Sequence, residues 1–170
     1  MSAIEKDPAR AHEPVIETER LVLRRLDLDD APFILALVND PDWLRHIGDR
    51  NVRSLDDARA YLSNGPIAAY AQHGFGLFAV ERREDGALIG ICGLIKRDTL
   101  DDVDIGFAYL PAYRAQGYAR EAAAATLAYA RAALGLERVV AIVSPANHAS
   151  ARLLERVGLR YESPVRTAAD

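Results

Sequence analysis

The segment with the clearest chemical signal is Tyr113–Arg120, Tyr-Arg-Ala-Gln-Gly-Tyr-Ala-Arg, which lies between a predicted strand and a predicted long helix. The first turn of a helix has main-chain N–H groups without partners at its positive dipole end, and phosphate groups bind there. Gly117 lets a ligand approach the backbone, Ala119 leaves that approach clear, and Arg114 adds positive charge. The segment therefore predicts a phosphate-binding turn, with an ordinary surface turn as the alternative.

The elements that must position this turn follow from hydrophobic periodicity, which favours a mixed α/β domain. Strands are predicted at 21–26, 74–83, 87–97, 102–110 and 138–143, with a partial strand at 159–162. Helices are predicted around 34–38, from Ser54, at 67–72, at 117–134 and at 147–157. A GxGxxA match at 74–79 is followed by strand residues and not by a helix, so we do not interpret it as a nucleotide-binding motif.

Alternation in the predicted strand 102–110 gives it two different faces. The larger side chains Val103, Ile105, Phe107 and Tyr109 share one face, and Asp104, Gly106 and Ala108 share the other. The second face is therefore small and carries a carboxylate. Cys92 alternates within another apolar strand, which predicts a packed thiol and not a reactive one.

Composition restricts the class of protein. The 170 residues are 50% hydrophobic and 27% charged, and we expect a flexible leader over 1–17 and a single domain over 18–170. The net charge of −4 argues against a broad basic face for nucleic acid. A single cysteine excludes an internal disulfide and a CxxC metal site. No targeting segment and no apolar run of about 20 residues is visible, which predicts a cytoplasmic protein without membrane contact.

The sequence resembles a known family at the predicted phosphate turn. Arg114-x-x-Gly117-x-Ala119 matches the Q/R-x-x-G-x-G/A signature with which GCN5-related N-acetyltransferases (GNAT) hold the pyrophosphate of acetyl-CoA. Segments 18–24, 102–122 and 147–159 are similar to the ribosomal-protein-alanine acetyltransferases, the RimJ/RimL-like subgroup, in the same order. The resemblance covers about residues 18–162.

The resemblance implies a fold and a cofactor site. The expected fold is a mixed, mostly antiparallel sheet flanked by helices, whose fourth and fifth strands, 102–110 and 138–143, start parallel and splay apart. Acetyl-CoA would be the co-substrate, with its pantetheine arm in the gap and its carbonyl near the main-chain N–H groups of Tyr109 and Leu110. The implied cofactor contacts are Tyr109, Leu110, Arg114, Ala115, Gln116, Gly117, Tyr118, Ala119, Asn147 and Ser150.

The resemblance also implies catalytic roles in direct aminolysis. Many relatives have a proton-donating tyrosine at the position of Leu154, which cannot serve here, and Ser150 is the implied substitute. The alternative for Ser150 is a capping hydroxyl of the first helical turn, and Asn147 is either a cofactor contact or a plain N-cap.

Asp104 matches the position of a glutamate base in the subgroup, and aspartate is one methylene shorter. Direct proton abstraction, a water-mediated role and electrostatic attraction of an ammonium group stay open, as does an ordinary surface carboxylate. Trp43 and His46 lie in the segment that caps the acceptor site in relatives, which makes both candidate substrate-binding residues. A core anchor and a surface residue, respectively, are the alternatives.

The implied function is an acetyl-CoA-dependent N-acetyltransferase that acts on a primary amine of a small molecule or a protein N-terminus. The competing interpretation is a non-catalytic acyl-CoA-binding or regulatory module of the same fold. The C-terminal end is short, since 12 residues follow Gly158. They can form one strand near 159–163, so we expect either a homodimer contact at this sheet edge or a frayed strand.

Overall fold

The computed structural model of the chain describes residues 12–165, which fold into six strands and six α-helices. The strands are β1 (Pro14–Glu17), β2 (Leu21–Arg25), β3 (Leu77–Arg82), β4 (Leu88–Ile95), β5 (Val103–Tyr109) and β6 (Val139–Val140). The helices are α1 (Ala31–Leu37), α2 (Pro41–His46), α3 (Leu55–Leu62), α4 (Ala68–His73), α5 (Tyr118–Ala132) and α6 (His148–Arg156). Short 3-10 turns at Leu28–Asp30 and Pro111–Tyr113 and a π-helical turn at Ser63–Ile67 complete the described elements.

The six strands form one sheet in chain order, β1 to β6. All neighbours are antiparallel except β5 and β6, which are parallel and pair only at Val103 with Val139 and at Asp104 with Val140. Beyond Asp104 the two strands part. The predicted mixed, mostly antiparallel sheet with two splayed parallel strands is therefore confirmed.

Helices cover both faces of the sheet. Alternate side chains of β5 point to opposite faces and pack against different helices. Ile105 packs with Ala123 of α5 and Leu154 of α6 on one face. Ala108 packs on the other face against the cluster that α1, α2 and α3 share with the sheet. The two predicted faces of this strand are thus occupied by different helices, and Asp104 faces the α1–α3 side.

The sulfhydryl of Cys92 lies in the core, as the sequence predicts. Its side chain is fully buried on β4, and its Sγ lies 3.4 Å from Oγ1 of Thr126 on α5. Burial raises the pKa of this thiol to about 11, against the opposing hydrogen bond from Thr126. The thiolate is therefore scarce at neutral pH, and the residue serves packing.

The prediction of a flexible leader over 1–17 is wrong for its last residues, because Pro14–Glu17 form β1 and pair with β2. The prolines and the absence of periodicity concealed this strand, but Ile16 is buried against the sheet, and proline is tolerated at the start of an edge strand. The first part of the predicted leader, 1–11, lies outside the described residues.

The predicted final strand is also wrong, because no strand forms among the described residues after Gly158. The predicted strand at 138–143 is reduced to the two residues of β6, Val139–Val140. A side-chain contact is present instead: Arg138 Nη2 donates to Glu162 Oε2 at 2.7 Å.

Candidate active site

The predicted phosphate turn is a tightly wound connection between β5 and α5. Gly117 is the N-cap residue of α5 with φ +83°, and Ala115 also has a positive φ of 59°. A Cβ atom at Gly117 would lie 3.2 Å from Arg20 Nη2, so a larger residue is disfavoured by both strain and space. Among the described residues, no side chain caps the first turn of α5. Its main-chain N–H groups at 118–119 are therefore available to an anionic ligand.

Arg20 holds this turn from outside, and the sequence analysis did not single it out. Its Nε donates to Glu121 Oε1 at 2.7 Å, its Nη1 donates to the carbonyl of Gln116 at 3.0 Å, and its guanidinium lies 4.3 Å from the ring centroid of Tyr118. Burial raises the pKa of Glu121, but hydrogen bonds from Thr18 and Arg20 outweigh it and leave the pKa lowered. The only available signal was the position of Arg20 at the start of the first predicted strand.

Arg114 has a different role from the predicted one. Its Nε and Nη2 donate to the carbonyl of Tyr109 at 3.0 and 2.8 Å, and its Nη2 also donates to Asp40 Oδ2 at 2.6 Å. Its Nη1 donates to the carboxylate of Asp42. Two carboxylates thus neutralise the charge that the sequence analysis assigned to phosphate binding, and the side chain ties the turn to the start of α2.

The gap between β5 and β6 exposes one edge of the β5 main chain. Leu110 N–H donates to the carbonyl of Ile89 at 2.9 Å, so it is not available to a carbonyl in the gap, and the expectation for this residue is wrong. Ladder alternation from that pair directs the N–H groups of Phe107 and Tyr109 toward the gap, whereas the parallel pairing of Asp104 with Val140 occupies the N–H of Ile105. The Tyr109 N–H thus agrees with the expected placement, whereas its carbonyl is taken by Arg114.

A cavity of about 220 Å³ opens beside this gap and brings the predicted catalytic and acceptor residues together. They come from α2, β5 and the start of α6, three elements that are distant in the sequence. The cavity is lined by Trp43, His46, Asp104, Asn147 and Ser150, among others.

Asp104 is an inward-facing acid in this cavity, with a side chain only 2% exposed, so the surface-carboxylate alternative is wrong. Burial raises its pKa, and the guanidinium of Arg97, whose Nε donates to Oδ1 at 3.1 Å, opposes that effect without cancelling it. The sequence analysis missed Arg97. The signal was the hairpin register, because Ile95 pairs with Asp104 and Arg97 follows two residues later on the same side.

Ser150 and Asn147 sit at the start of α6. The Asn147 side chain accepts a hydrogen bond from the Ser150 N–H at 3.2 Å, so Asn147 is an N-cap that also lines the cavity. Within residues 12–165 the Ser150 hydroxyl has no hydrogen-bond partner, and the capping alternative for that hydroxyl is wrong. Leu154 lies one turn further along the same cavity wall.

Trp43 and His46 on α2 form the opposite wall. Trp43 is 5% exposed and packs with the α1–α3 cluster, so it is both a core residue and a cavity residue. Trp43 Nε1 and His46 Nδ1 are buried without a hydrogen-bond partner among the described residues. Such atoms cost free energy unless a ligand or water completes them.

The fold and the site together define the class of protein. A strand pair that opens beside an uncapped helix suits an extended, phosphate-bearing carrier, and an acid and a free hydroxyl face the place where its end would lie. This is the arrangement of a group-transferring α/β enzyme. The chain belongs to the acetyltransferase (GNAT) family, whose domain model matches residues 20–160.

Relatives agree with this assignment. The N-acetyltransferase YoaA of Bacillus subtilis, itself uncharacterised, is 32% identical over 155 residues, which cover 90% of this chain and 86% of YoaA. A solved GNAT acetyltransferase from Bacillus anthracis is 29% identical with a TM-score of 0.73, covering 87% and 84% of the two chains. A ribosomal-protein-S5-alanine acetyltransferase from Vibrio fischeri shares the fold, with 21% identity, a TM-score of 0.64, and coverage of 84% and 80%.

Two further kinds of feature are absent from residues 12–165. No helix there is both long and apolar enough to cross a bilayer. No group of three or more His, Cys, Asp or Glu side chains in that range is arranged to hold a metal ion.

Proposed function

We propose that the chain is an acetyl-CoA-dependent N-acetyltransferase that acetylates a primary amine by direct aminolysis. The observation that carries this proposal is that Asp104 and Ser150 line the same cavity beside the open edge of β5. A non-catalytic acyl-CoA-binding module would have no need of a buried carboxylate with a raised pKa facing a free hydroxyl.

The main chain of this protein fits the co-substrate. The N–H groups of 115–119 would hold the pyrophosphate, because Gly117 leaves room that a Cβ atom would fill and the first turn of α5 is uncapped. The free edge of β5 at 107–109 would pair with the pantetheine amides as an added strand does. Bound there, acetyl-CoA supplies an activated acetyl thioester.

The cavity residues account for the protons of the reaction. The amine nitrogen must lose a proton before it attacks the acetyl carbon, and Asp104 accepts that proton directly or through water. A C–N bond forms, the C–S bond breaks, and the Ser150 hydroxyl donates its proton to the leaving sulfur while it accepts the proton that the attacking nitrogen loses. Asn147 fixes the first turn of α6 and so positions Ser150.

Steady-state release of free CoA tests the proposal. The full chain is incubated with acetyl-CoA and a panel of primary amines, and thiol formation is followed with a colorimetric reagent. We expect amine-dependent release that falls in Asp104→Asn and in Ser150→Ala. Tight acetyl-CoA binding without release for any amine would instead support the non-catalytic module.

Among acceptors we propose the N-terminal amine of a protein. The solved neighbour named as a ribosomal-protein-S5-alanine acetyltransferase supports this choice through its fold, and segments 102–122 and 147–159 resemble that subgroup. Short peptides with free and blocked N-termini, each containing one lysine, separate N-terminal from side-chain acetylation by mass spectrometry. Transfer to the blocked peptide would contradict the proposal.

A homodimer through the outer edge of β6 remains our proposal for the C-terminal side. β6 has two residues and no further strand pairs with it within the described part of the chain. Light scattering at micromolar concentration is expected to give twice the mass of 18.6 kDa. A monomer whose amides at 159–165 are strongly protected from hydrogen exchange would contradict it.

A further inference from the structure

A second, larger cavity adjoins the one that holds Asp104. It has a volume of about 650 Å³ and lies between the α3–α4 segment and the end of β4. Four residues line both cavities: Arg50, Tyr61, Leu77 and Ile95. The two spaces therefore share a wall, and an acceptor whose amine occupies the smaller one has room for its remaining atoms in the larger.

The charge at this junction is positive although the whole chain is acidic. Within residues 12–165 no carboxylate lies within 4 Å of the Arg50 guanidinium, since no ion pair includes it. Lys96, which lines the larger cavity, donates from Nζ to the carbonyls of Arg97 and Leu100 at 3.2 and 2.5 Å and has no carboxylate partner there either. Peptide carbonyls are uncharged acceptors, so the positive charge of Lys96, like that of Arg50, is not compensated by a carboxylate in that range.

The acids nearby do not balance these charges. Asp104 is paired with Arg97. Asp57 lines the larger cavity, and its Oδ2 accepts a hydrogen bond from the Arg53 N–H at 2.9 Å. Counting formal charges over the lining residues, three cations, Arg50, Lys96 and Arg97, face two carboxylates.

Two of these cations, Arg50 and Arg97, act on the hydroxyl of Tyr61. Burial raises the pKa of its hydroxyl, and the positive charges of Arg50 and Arg97 act in the opposite direction on the same group. Arg50 and Arg97 both line the smaller cavity together with Tyr61. Arg97 is occupied by Asp104, which leaves Arg50 as the cation free to bind an anion at the junction.

We propose that the acceptor carries a carboxylate beyond its reacting amine, and that Arg50 binds this carboxylate where the two cavities meet. This inference rests on the proposed function, because it places the amine beside Asp104. A polycationic acceptor such as a polyamine would meet Arg50, Lys96 and Arg97 along the same path and is disfavoured.

A carboxylate of this kind has two sources, which the experiment separates. It is either the α-carboxylate of a free amino acid or an acidic side chain within the first residues of a peptide. The peptide arm compares Ala-Asp-Ala-Ala-amide with Ala-Asn-Ala-Ala-amide, and the amino-acid arm compares alanine with alaninamide. Each pair differs by one negative charge at nearly constant shape.

Binding is measured independently of turnover by the fluorescence of Trp43, the single tryptophan of the chain, which lines the smaller cavity. In at least one arm we expect the carboxylate-bearing ligand to bind about tenfold more tightly than its neutral partner. Arg50→Gln is expected to reduce this ratio to below about twofold. Arg59→Gln is the matched control, because Arg59 is an exposed arginine on α3 that pairs with Asp56 outside both cavities.

Equal affinities within both pairs would overturn the proposal, as would a preference that survives Arg50→Gln. Retention of the preference in Arg59→Gln and its loss in Arg50→Gln would support it. Thiol release is recorded with the same ligands. A carboxylate preference in binding without any release would refute the proposed function alone, whereas release without a preference would refute this inference alone.

Discussion

The polar side chains that surround the turn before α5 are paired, whereas several polar groups of the cavity beside Asp104 have no hydrogen-bond partner within residues 12–165. In the turn, Arg20 and Arg114 each satisfy several acceptors, and their charges are neutralised by carboxylates. In the cavity, Trp43 Nε1, His46 Nδ1 and the Ser150 hydroxyl have no partner among the described residues. The two nitrogen atoms are buried, and an unpaired buried group costs about 1–3 kcal/mol, so they mark places that a ligand completes.

Under the proposed function, this difference separates the recognition of the co-substrate from that of the acceptor. The turn offers main-chain N–H groups whose positions are fixed in advance by surrounding side chains, which suits a co-substrate that never changes. The cavity offers side chains, which substitution alters easily, and this suits an acceptor that differs between relatives. Arg114 connects the two regions, because it binds the Tyr109 carbonyl at the turn and Asp40 at the start of α2.

The largest effect is expected from Ser150→Ala, which tests the free hydroxyl of the cavity. Loss of the proton donor should lower kcat by about 100-fold, because such a donor acts mainly in the transition state. The Kd for acetyl-CoA, measured by calorimetry, should change by less than about twofold. Ser163→Ala, in the exposed C-terminal segment, is the control and should change neither value.

An equal loss of acetyl-CoA affinity and of kcat/KM in Ser150→Ala, with kcat unchanged, would make Ser150 a binding contact. The hydroxyl would then belong to the cofactor side of the site and not to the acceptor cavity.

Arg114→Gln tests the connection between the regions. It leaves Asp40, whose side chain is 7% exposed, without its guanidinium partner. Because Arg114 itself is 35% exposed, the free energy of unfolding should fall by about 2 kcal/mol, less than for a fully buried pair. Urea denaturation measures the change.

Arg45→Gln is the matched control for that variant. Arg45 also pairs with Asp42, but its side chain is 65% exposed, so the loss should stay within about 0.5 kcal/mol. Equal losses of unfolding free energy in the two variants would show that the Arg114–Asp40 ion pair contributes no more than an exposed ion pair does.

The sequence predicted the turn better than the cavity, and the reason is physical. The turn is local: a strand, Gly117 and a helix start lie within a few residues, so their spacing carries the geometry. The ties that fix it come from Arg20, Asp40 and Asp42, which are far away in the chain and have no pattern that points to Arg114 or Glu121.

The sequence analysis named several of the residues that line the cavity, but not the charged groups that surround them. Resemblance named Asp104 and Ser150. The contact of Arg97 with Asp104 depends on the register of the β4–β5 hairpin, which the sequence analysis did not assign, and no pattern shows that Arg50 lines a second cavity. The predictions for the two edges of the sheet were wrong for a related reason. Whether Pro14–Glu17 or 159–163 pair depends on the neighbouring strand, β2 or β6, and not on their own residues.

Gly117→Val tests the turn itself and is expected to weaken acetyl-CoA binding by at least about tenfold, or about 1.4 kcal/mol. Valine is strained at a φ of +83°, and its Cβ would press on Arg20 Nη2 at 3.2 Å. Calorimetry with acetyl-CoA measures the affinity.

Gly135→Val provides the control, because Gly135 also has a positive φ, +65°, but a Cβ atom there would meet no other atom within 4 Å. It should lower stability without changing the Kd for acetyl-CoA. Unchanged affinity in a folded Gly117→Val protein would remove the turn from the co-substrate site.

The smallest effect is expected from Asp104→Asn, which tests whether the buried acid acts as the base. Burial raises its pKa above the ordinary value of 3.8, so the carboxylate is lost at a higher pH than usual and kcat/KM should fall as pH decreases through that pKa. The variant should lack this acid limb. Its rate at neutral pH should be only about tenfold lower, because Arg97 already weakens the base and water can reach the amine in its place.

Stability provides an independent check on the same group, with its sign fixed by the raised pKa. A carboxyl group whose pKa is higher in the folded than in the unfolded chain stabilises the fold while it is protonated, and this contribution is lost as pH rises through the folded pKa. Asparagine resembles the protonated form, so Asp104→Asn should gain stability relative to the wild type as pH increases from about 4 to 7. A constant difference across that range, together with an unaltered acid limb in the rate, would show that Asp104 is a structural partner of Arg97 and not the base.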